Sequence, residues 1–421
     1  MGNNVKFNVI VPTRERSDTL YHSLMTVVNQ DYEDLTIIVS DNFSQDNTKE
    51  VAYSFNDKRI KYINTGKRIS MSDNWEFALS HVVDGWVMFI GDDDGLYPWA
   101  LQLLNMYIQS HNVEAISSKC GGFYWPDYFD DCIQGSLTVP IKSTAKLKNS
   151  KKELRRVFFG DLAYSKLPWL YNGGVATIDV INRSRDSNGR FFCSQIPDMY
   201  SAVALSFAIE KYLFIEVPIA INGASRHSTG CSSMRAITDK AVSPILQFQS
   251  EDNIPLHESL INGKSLQMVL YECYLKSWHL HHDNLGIKLE DQLKVAIKVA
   301  PYEQWPEVKE QCRQIAVRNN IVFTDRKESI KDKILRFHYY QRGASWSVSF
   351  DAKRLGLNNV YDAALASASI YNCLVNTFFG LRWFLAVYFF TKGIQFWTLL
   401  VLNYLRRIIF MSDRESKTKK G

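Results

Sequence analysis

Residues 86–98 read WVMFIGDDDGLYP: an apolar run, a glycine, three consecutive aspartates (Asp92, Asp93 and Asp94), a second glycine and then Pro98. Like charges at the end of a buried segment repel one another and lose hydration, so a chain carries them most cheaply where a cation neutralises them. A divalent metal is the simplest such cation. Mg²⁺ and Mn²⁺ favour oxygen ligands, and Mg²⁺ is often held by one or two carboxylates together with the phosphates of a substrate. The pattern therefore points to a nucleoside diphosphate bound through a metal. A solvated turn, or an acidic complement to a helix N-terminus, is the competing reading.

Three other polar clusters follow apolar runs in the same way: Thr13-Arg14-Glu15-Arg16, Asp41-Asn42 and Gly66-Lys67-Arg68. Asp41 could accept a hydrogen bond from a base or a ribose, and the arginines and lysine could donate to base or phosphate. No G-x-G-x-x-G follows the first run, and GKRIS lacks the upstream glycine of a P-loop, so dinucleotide and P-loop phosphate binding are not expected.

The elements that must position these clusters alternate. Phe7–Val11 is a short β-branched run closed by Pro12, which suits a buried strand. Ser17 is placed to cap a helix carrying Leu20, Leu24, Val27 and Val28. Leu35–Ser40 reads as a strand, Val51, Ala52 and Phe55 as a short helix, and Arg59–Asn64 as a third strand. Ser72 is placed to cap the helix of Trp75, Ala78, Leu79 and Val82; Trp86–Ile90 is a fourth strand, and Pro98 suits the first turn of the next helix. Strand and helix in alternation predict a mostly parallel sheet covered on both faces. Ligands of such sheets bind beyond the carboxyl ends of the strands, where all four clusters fall.

From about Gly121 the regularity fades. Asn172–Ile181 reads as another strand, Asp198 to Glu210 as a helix, Leu213–Val217 as a strand, and INGASRHSTG as a flexible closing segment suited to fold over a diphosphate, with His227 a candidate metal or phosphate contact. The cluster HLHHD (279–283) reads as structural rather than as a zinc site.

Over 421 residues, 49 Lys+Arg against 44 Asp+Glu give a formal charge of +5, too mild to signal nucleic-acid binding. Seven cysteines with no C-x-x-C pair fit a reducing compartment better than a disulfide scaffold. The N-terminus shows neither the pattern of an export signal nor, with Lys6 where Ser or Thr is needed, that of a myristoylation site. A cytoplasmic protein is expected.

The segments FNVIVPTRERSDTLYHSLMTVVNQDYEDLTIIVSDNFSQDNT, SMSDNWEFALSHV and WVMFIGDDDGLYP, in this order and spacing, resemble the nucleotide-sugar half of family 2 glycosyltransferases. The resemblance covers residues 6–110 well and 170–230 loosely. It implies a GT-A fold and an inverting glycosyltransferase that uses a nucleotide sugar, a UDP-sugar by expectation, and Mn²⁺ or Mg²⁺. By position it implies that Pro12, Thr13, Glu15 and Asp41 line the base and ribose pocket with Arg68 and Asn74 nearby, and that Asp93 is the principal metal ligand. Asp92 would be a ribose or outer contact, Asp94 a further metal candidate, and Asp198, at a helix start, the base that takes the acceptor's proton. Against that last role stands an ordinary helix-start aspartate. The family often shows D-x-D-D, and Gly91 stands where its first aspartate would be, which leaves the division of labour among Asp92, Asp93 and Asp94 open.

The expected organisation is a GT-A catalytic domain over 1–235, a mainly helical accessory region over 236–365, and an aromatic, basic segment over 366–421. No uncharged run in that last segment reaches the ~18–20 residues that span a bilayer. Its arginines beside Trp383, Trp397 and Tyr404 suit a membrane interface. The expected setting is the inner face of a membrane, with a glycan or lipid-linked glycan acceptor of surface polysaccharide synthesis. A nucleotidyltransferase is the enzymatic alternative, although PTRERSDT lacks the glycines its first loop needs; a catalytically inactive scaffold at a membrane is the other.

Overall fold

The computed structural model describes residues 4–228, 251–283, 285–301, 304–323 and 346–376. The strands are β1 (Phe7–Thr13), β2 (Leu35–Asp41), β3 (Ile60–Asn64), β4 (Trp86–Phe89), β5 (Gly95–Leu96), β6 (Ala115–Ser118), β7 (Gly121–Tyr124), β8 (Ser136–Pro140), β9 (Ala145–Asn149), β10 (Val175–Thr177), β11 (Lys211–Ile215), β12 (Ala220–Ala224) and β13 (Ser347–Asp351). Helices α1 (Ser17–Val28), α2 (Thr48–Ser54), α3 (Met71–Leu79), α4 (Ala100–Ser110), α5 (Ser150–Phe158), α6 (Ile178–Arg183) and α7 (Pro197–Ala208) connect them.

Among the described residues the larger sheet has the order β3-β2-β1-β4-β10-β6-β11-β9. The first four strands are mutually parallel, as their alternation with helices predicts, while β10 runs antiparallel to both neighbours and β9 antiparallel to β11. Side chains of β1 alternate between two cores. Phe7, Val9 and Val11 pack with Leu20 and Leu24 of α1 and Leu101 and Leu104 of α4. Ile10 turns to the opposite face, with Trp75, Phe89 and residues of α7. Each fully buried aliphatic or aromatic side chain contributes roughly 1.5–3 kcal/mol, so this double burial fixes the register. Register in turn sets Thr13 opposite Asp41 and Asp41 opposite Asn64, which lines up the polar residues at one edge.

The second sheet, β13-β8-β7-β12-β5, lies beyond β4. Its strands β7 and β8 fall where periodicity is weak. INGASRHSTG is not wholly a loop: Ala220–Ala224 forms β12, antiparallel to β5 and parallel to β7. Gly223 makes this possible, since a Cβ there would sit 1.7 Å from the carbonyl oxygen of Asp93. The expected strand over 172–181 shrinks to β10, because Asn172 takes a left-handed φ of 42° and Thr177 caps α6 by accepting from Val180 N–H.

Three expected helix starts also move. Arg16 precedes α1, and Ser17 instead gives its N–H to Asp46. Ser70 rather than Ser72 caps α3, accepting from Asp73 N–H at 3.1 Å, while Ser72 donates to the Ser194 carbonyl. Pro98 stands two residues before α4. Only at α3 does another hydroxyl take over the cap; α1 and α4 begin after Arg16 and Trp99 with no side-chain cap.

Helices Leu266–Lys276, Leu289–Val299 and Trp305–Arg318 share the core of α7, through Met268, Leu293 and Ile315 among others. One compact unit runs to Ala368, and a second begins at Ser369. The boundary expected near 235 and most of the aromatic segment lie outside the described residues. Among those described, no helix is long and apolar enough to cross a membrane.

Candidate active site

The edge of β1–β3 is built around Asp41. Its Oδ2 accepts from Tyr62 Oη at 2.6 Å and Asn64 Nδ2 at 2.9 Å, and its Oδ1 accepts from Ser44 N–H at 2.9 Å. Pro12 and Thr13 sit beside Ser40 and Asp41 on the neighbouring strand. Glu15, at a left-handed φ of 53°, accepts from Gln45 N–H and pairs with Arg68 at 2.6 Å. Asn74 is buried beneath this edge: it accepts from Ser40 Oγ at 2.7 Å and donates to the Ser40 carbonyl, which ties α3 to β2. It acts by holding the strand end in place.

The acidic strand end gives each aspartate a separate environment. Asp92 pairs with Arg16 at 2.9 Å, with both side chains largely buried. Burial raises the Asp92 carboxyl, against the opposing pull of the guanidinium. Asp93 Oδ2 accepts from Ser225 N–H, Ser225 Oγ at 2.7 Å and Ser228 Oγ, so the turn after β12 wraps the carboxylate. Asp94 turns inward, accepting from Gly91 N–H at 2.8 Å, Tyr171 Oη at 2.6 Å and Gly223 N–H at 2.7 Å. Burial, and then repulsion from Asp93, pushes its carboxyl up to about 7.

Gly91 follows from that inward turn. A Cβ at this position would lie 2.6 Å from Asp94 Oδ2 and 2.9 Å from Tyr171 Oη. The carboxylate of Asp94 fills the space that a side chain at 91 would need.

Asp198 opens α7 after Pro197. Burial raises its carboxyl to about 6, and Tyr164 Oη donates to it at 3.3 Å. Tyr171 connects the two acidic groups, for Asp94, Asp93 and Asp198 all act on its hydroxyl, which burial already holds well above the usual phenol range. Trp169 stands edge-on to both Tyr164 and Tyr171 at 5.7 Å, and its indole N–H is buried without a partner among the described residues. His227 meets the acidic end through its backbone: its carbonyl accepts from Arg16, while its ring nitrogen accepts from Arg226 Nε at 2.8 Å.

Among the described residues no three His, Cys, Asp or Glu side chains form a complete metal cage. The donor set still fits a metal shared with phosphates, which needs only one or two carboxylates. Among the described residues Asp93 receives its protein hydrogen bonds on Oδ2 alone, and Asp92 is adjacent; Asp94 spends both oxygens on the fold.

Sequence reading brought Asp41, the aspartates and Asp198 to notice and offered Arg16 as a donor to base or phosphate, where the structure pairs it with Asp92; it singled out neither Tyr164, Tyr171, Ser225 nor Ser228. Arg16 carried a signal, since it lies in the cluster after β1. The tyrosines carried none, because they enter from irregular chain between α5 and β10.

A parallel β1–β4 core that ends in Asp41 and an acidic turn, extended by mixed strands, is the α/β arrangement of GT-A nucleotide-sugar enzymes. Residues 8–165 match the model of Glycosyl transferase family 2. The chain is 39% identical over 102 residues to GalNAc(5)-diNAcBac-PP-undecaprenol beta-1,3-glucosyltransferase of Campylobacter jejuni, a stretch covering 24% of this chain and 33% of the relative. It is 26% identical over 137 residues to UDP-Glc:alpha-D-GlcNAc-diphosphoundecaprenol beta-1,3-glucosyltransferase WfgD of Escherichia coli, covering 32% of this chain and 52% of the relative. The matched stretches thus span between a third and about half of these relatives. Among solved structures it is similar to S. aureus TarS 1–349 in complex with UDP-GlcNAc, with TM-score 0.44 and 16% identity over 83% of this chain and 92% of that one.

Proposed function

We propose that the protein transfers a glycosyl group from a UDP-sugar to a hydroxyl of an undecaprenyl-diphosphate-linked glycan, with inversion, in surface polysaccharide synthesis at the cytoplasmic face of a membrane. The observation that carries this reading is a pair of buried carboxylates joined through aromatic side chains: Tyr171 donates to Asp94 at the end of β4, Tyr164 donates to Asp198 at the start of α7, and Trp169 stands edge-on to both tyrosines. The names of the glucosyltransferase relatives support the donor and the lipid-linked acceptor.

In this reading the nucleoside rests on the edge of Pro12, Thr13, Glu15, Asp41 and Arg68, and Asn74 keeps that edge in place. Asp93, with Asp92 beside it, would hold Mn²⁺ or Mg²⁺, which when bound would neutralise charge on the leaving diphosphate. Asp198 takes the proton of the acceptor hydroxyl as that oxygen attacks the anomeric carbon and the bond to the diphosphate breaks. With its carboxyl at about 6, Asp198 is ionised at neutral pH and still basic enough to accept the proton. A single displacement inverts the anomeric centre.

The test is calorimetric titration of UDP, GDP and CDP with and without Mn²⁺, on wild type and Asp93→Ala. Binding of UDP that needs both metal and Asp93 is the expected result. Absence of metal-dependent binding of any of the three would remove the reading.

A further inference from the structure

A second concave surface lies away from the acidic strand end. Its walls are the loop Asp186–Cys193 and the segment Asn253–His257, and its base is the C-terminal turn of the helix Leu266–Lys276 with Trp278 and His279. The cleft has a volume of about 740 Å³, within the range of small-molecule sites. Gln195 Nε2 donates to the Ile254 carbonyl at 3.1 Å and fastens the two walls together.

Trp278 is 72% exposed and makes no ring contact with another aromatic among the described residues. Leaving an indole in water forgoes one of the larger burial gains a side chain can make, and ligand pockets are lined by aromatic side chains with a few placed polar groups, as this cleft is. Around it the polar groups are held or unspent. His279 Nε2 donates to the Ser184 carbonyl at 3.2 Å, which fixes the ring and leaves Nδ1 as an acceptor. Asn253 has no side-chain hydrogen bond, and Lys276 pairs with no carboxylate, among the described residues. Asn188 lines the same wall.

We infer that this cleft is a saccharide subsite, in which a pyranose ring lies its C–H face on Trp278 and shares its hydroxyls with Asn188, Asn253, Lys276 and His279. A flat apolar face rimmed by hydroxyls matches one aromatic surrounded by amide, imidazole and ammonium groups. Arg190 does not make the cleft a phosphate site, because its Nη1 is committed to Asp73 at 2.6 Å and its Nε to the Phe192 carbonyl at 2.6 Å, while its Nη2 is buried away from the surface. The lining then sets one lysine, Lys276, against one carboxylate, Asp186, a near balance of charge that suits a neutral sugar better than a nucleotide.

The inference rests on the glycosyl-transfer reading and gives the acceptor a second point of attachment. Cys193 lines the cleft and Asp198 follows five residues later, so their Cα atoms are separated by no more than about 18 Å. An oligosaccharide can reach from the cleft to the base, whereas a single sugar held in the cleft is displaced from it.

The test is saturation-transfer NMR with two neutral trisaccharides, cellotriose and triacetylchitotriose, on wild type, Trp278→Ala and Trp278→Phe, alongside titration of UDP with Mn²⁺. We expect wild type to bind at least one trisaccharide, Trp278→Ala to lose about tenfold or more in affinity, and Trp278→Phe to retain most of it. UDP binding should be the same in all three proteins. Equal trisaccharide affinity in Trp278→Ala would overturn the subsite, as would a wild type that binds UDP and neither trisaccharide. Trisaccharide binding that depends on Trp278, in a protein that binds no nucleotide, would instead keep the subsite and remove the transferase reading.

Discussion

Tyr171 donates its phenolic hydrogen to Asp94 Oδ2 at 2.6 Å, and that carboxylate oxygen also accepts Gly91 N–H. One of three consecutive aspartates is thereby spent on joining the loop before β10 to the end of β4. Replacing Tyr171 by Phe removes one donor from a buried carboxylate and should cost about 1–3 kcal/mol of stability. The midpoint of urea unfolding at constant slope measures it; an unshifted midpoint would mean that the hydroxyl does not support the fold.

Gly91→Asp restores the aspartate common in the family and should nevertheless damage this protein. Its Cβ would meet Asp94 Oδ2 at 2.6 Å, and a fourth carboxylate would add repulsion in a buried site. Loss of stability with no gain in metal-dependent UDP binding is expected, and Gly91→Ala should share the loss by the steric term alone, on the order of 1–3 kcal/mol. Tighter metal binding by Gly91→Asp would show that the site can open to accept the side chain.

Arg16 and Asp92 form a pair whose side chains are 14% and 2% exposed. Arg16→Gln leaves the Asp92 carboxylate buried without its cation, and breaking buried pairs in this way costs roughly 3–5 kcal/mol. The double variant Arg16→Gln/Asp92→Asn should recover part of that loss. A thermal or urea series on the four proteins gives the coupling, and purely additive losses would show that the two residues act independently.

Asp198→Asn should lower kcat by about 10²–10⁴-fold, the usual contribution of a general base, with UDP binding retained. Burial raises the Asp198 carboxyl to about 6. Activity should therefore rise with pH through about 6 as the carboxylate forms, and this limb should be absent from the residual activity of Asp198→Asn. The stability linkage runs the other way: a carboxyl raised in the folded state favours folding at low pH, and that contribution falls as pH increases from about 4 to about 6. A pH–rate profile with the same acidic limb in the variant would assign the base elsewhere.

The sheet of β1–β4 was legible because β1, β2 and β4 are short apolar runs buried on both faces and separated by helices, with β3 at the edge, so period and composition agree. The four polar clusters were legible for a related reason, since parallel strands deliver every carboxyl end to one edge. Beyond Gly121 that agreement ends. β7, β8 and β12 are short and partly exposed or glycine-containing, and they exist because each finds a partner far away in sequence, as Ile221 does opposite Gly121. The start of α3 shifted because several hydroxyls within a turn can serve as caps and packing chooses among them.

The amino-acid sequence by itself determined that an α/β sheet carries Asp41 and three aspartates at the ends of its parallel strands, and that Asp198 begins a helix. These are consequences of local periodicity. Only the tertiary structure decided what each carboxylate does: Asp92 meets Arg16, Asp93 meets the turn after β12, and Asp94 meets Tyr171. Adjacent residues of one type have the same local propensities, and they are distinguished by the direction in which the chain turns and by the distant groups it brings to each side chain.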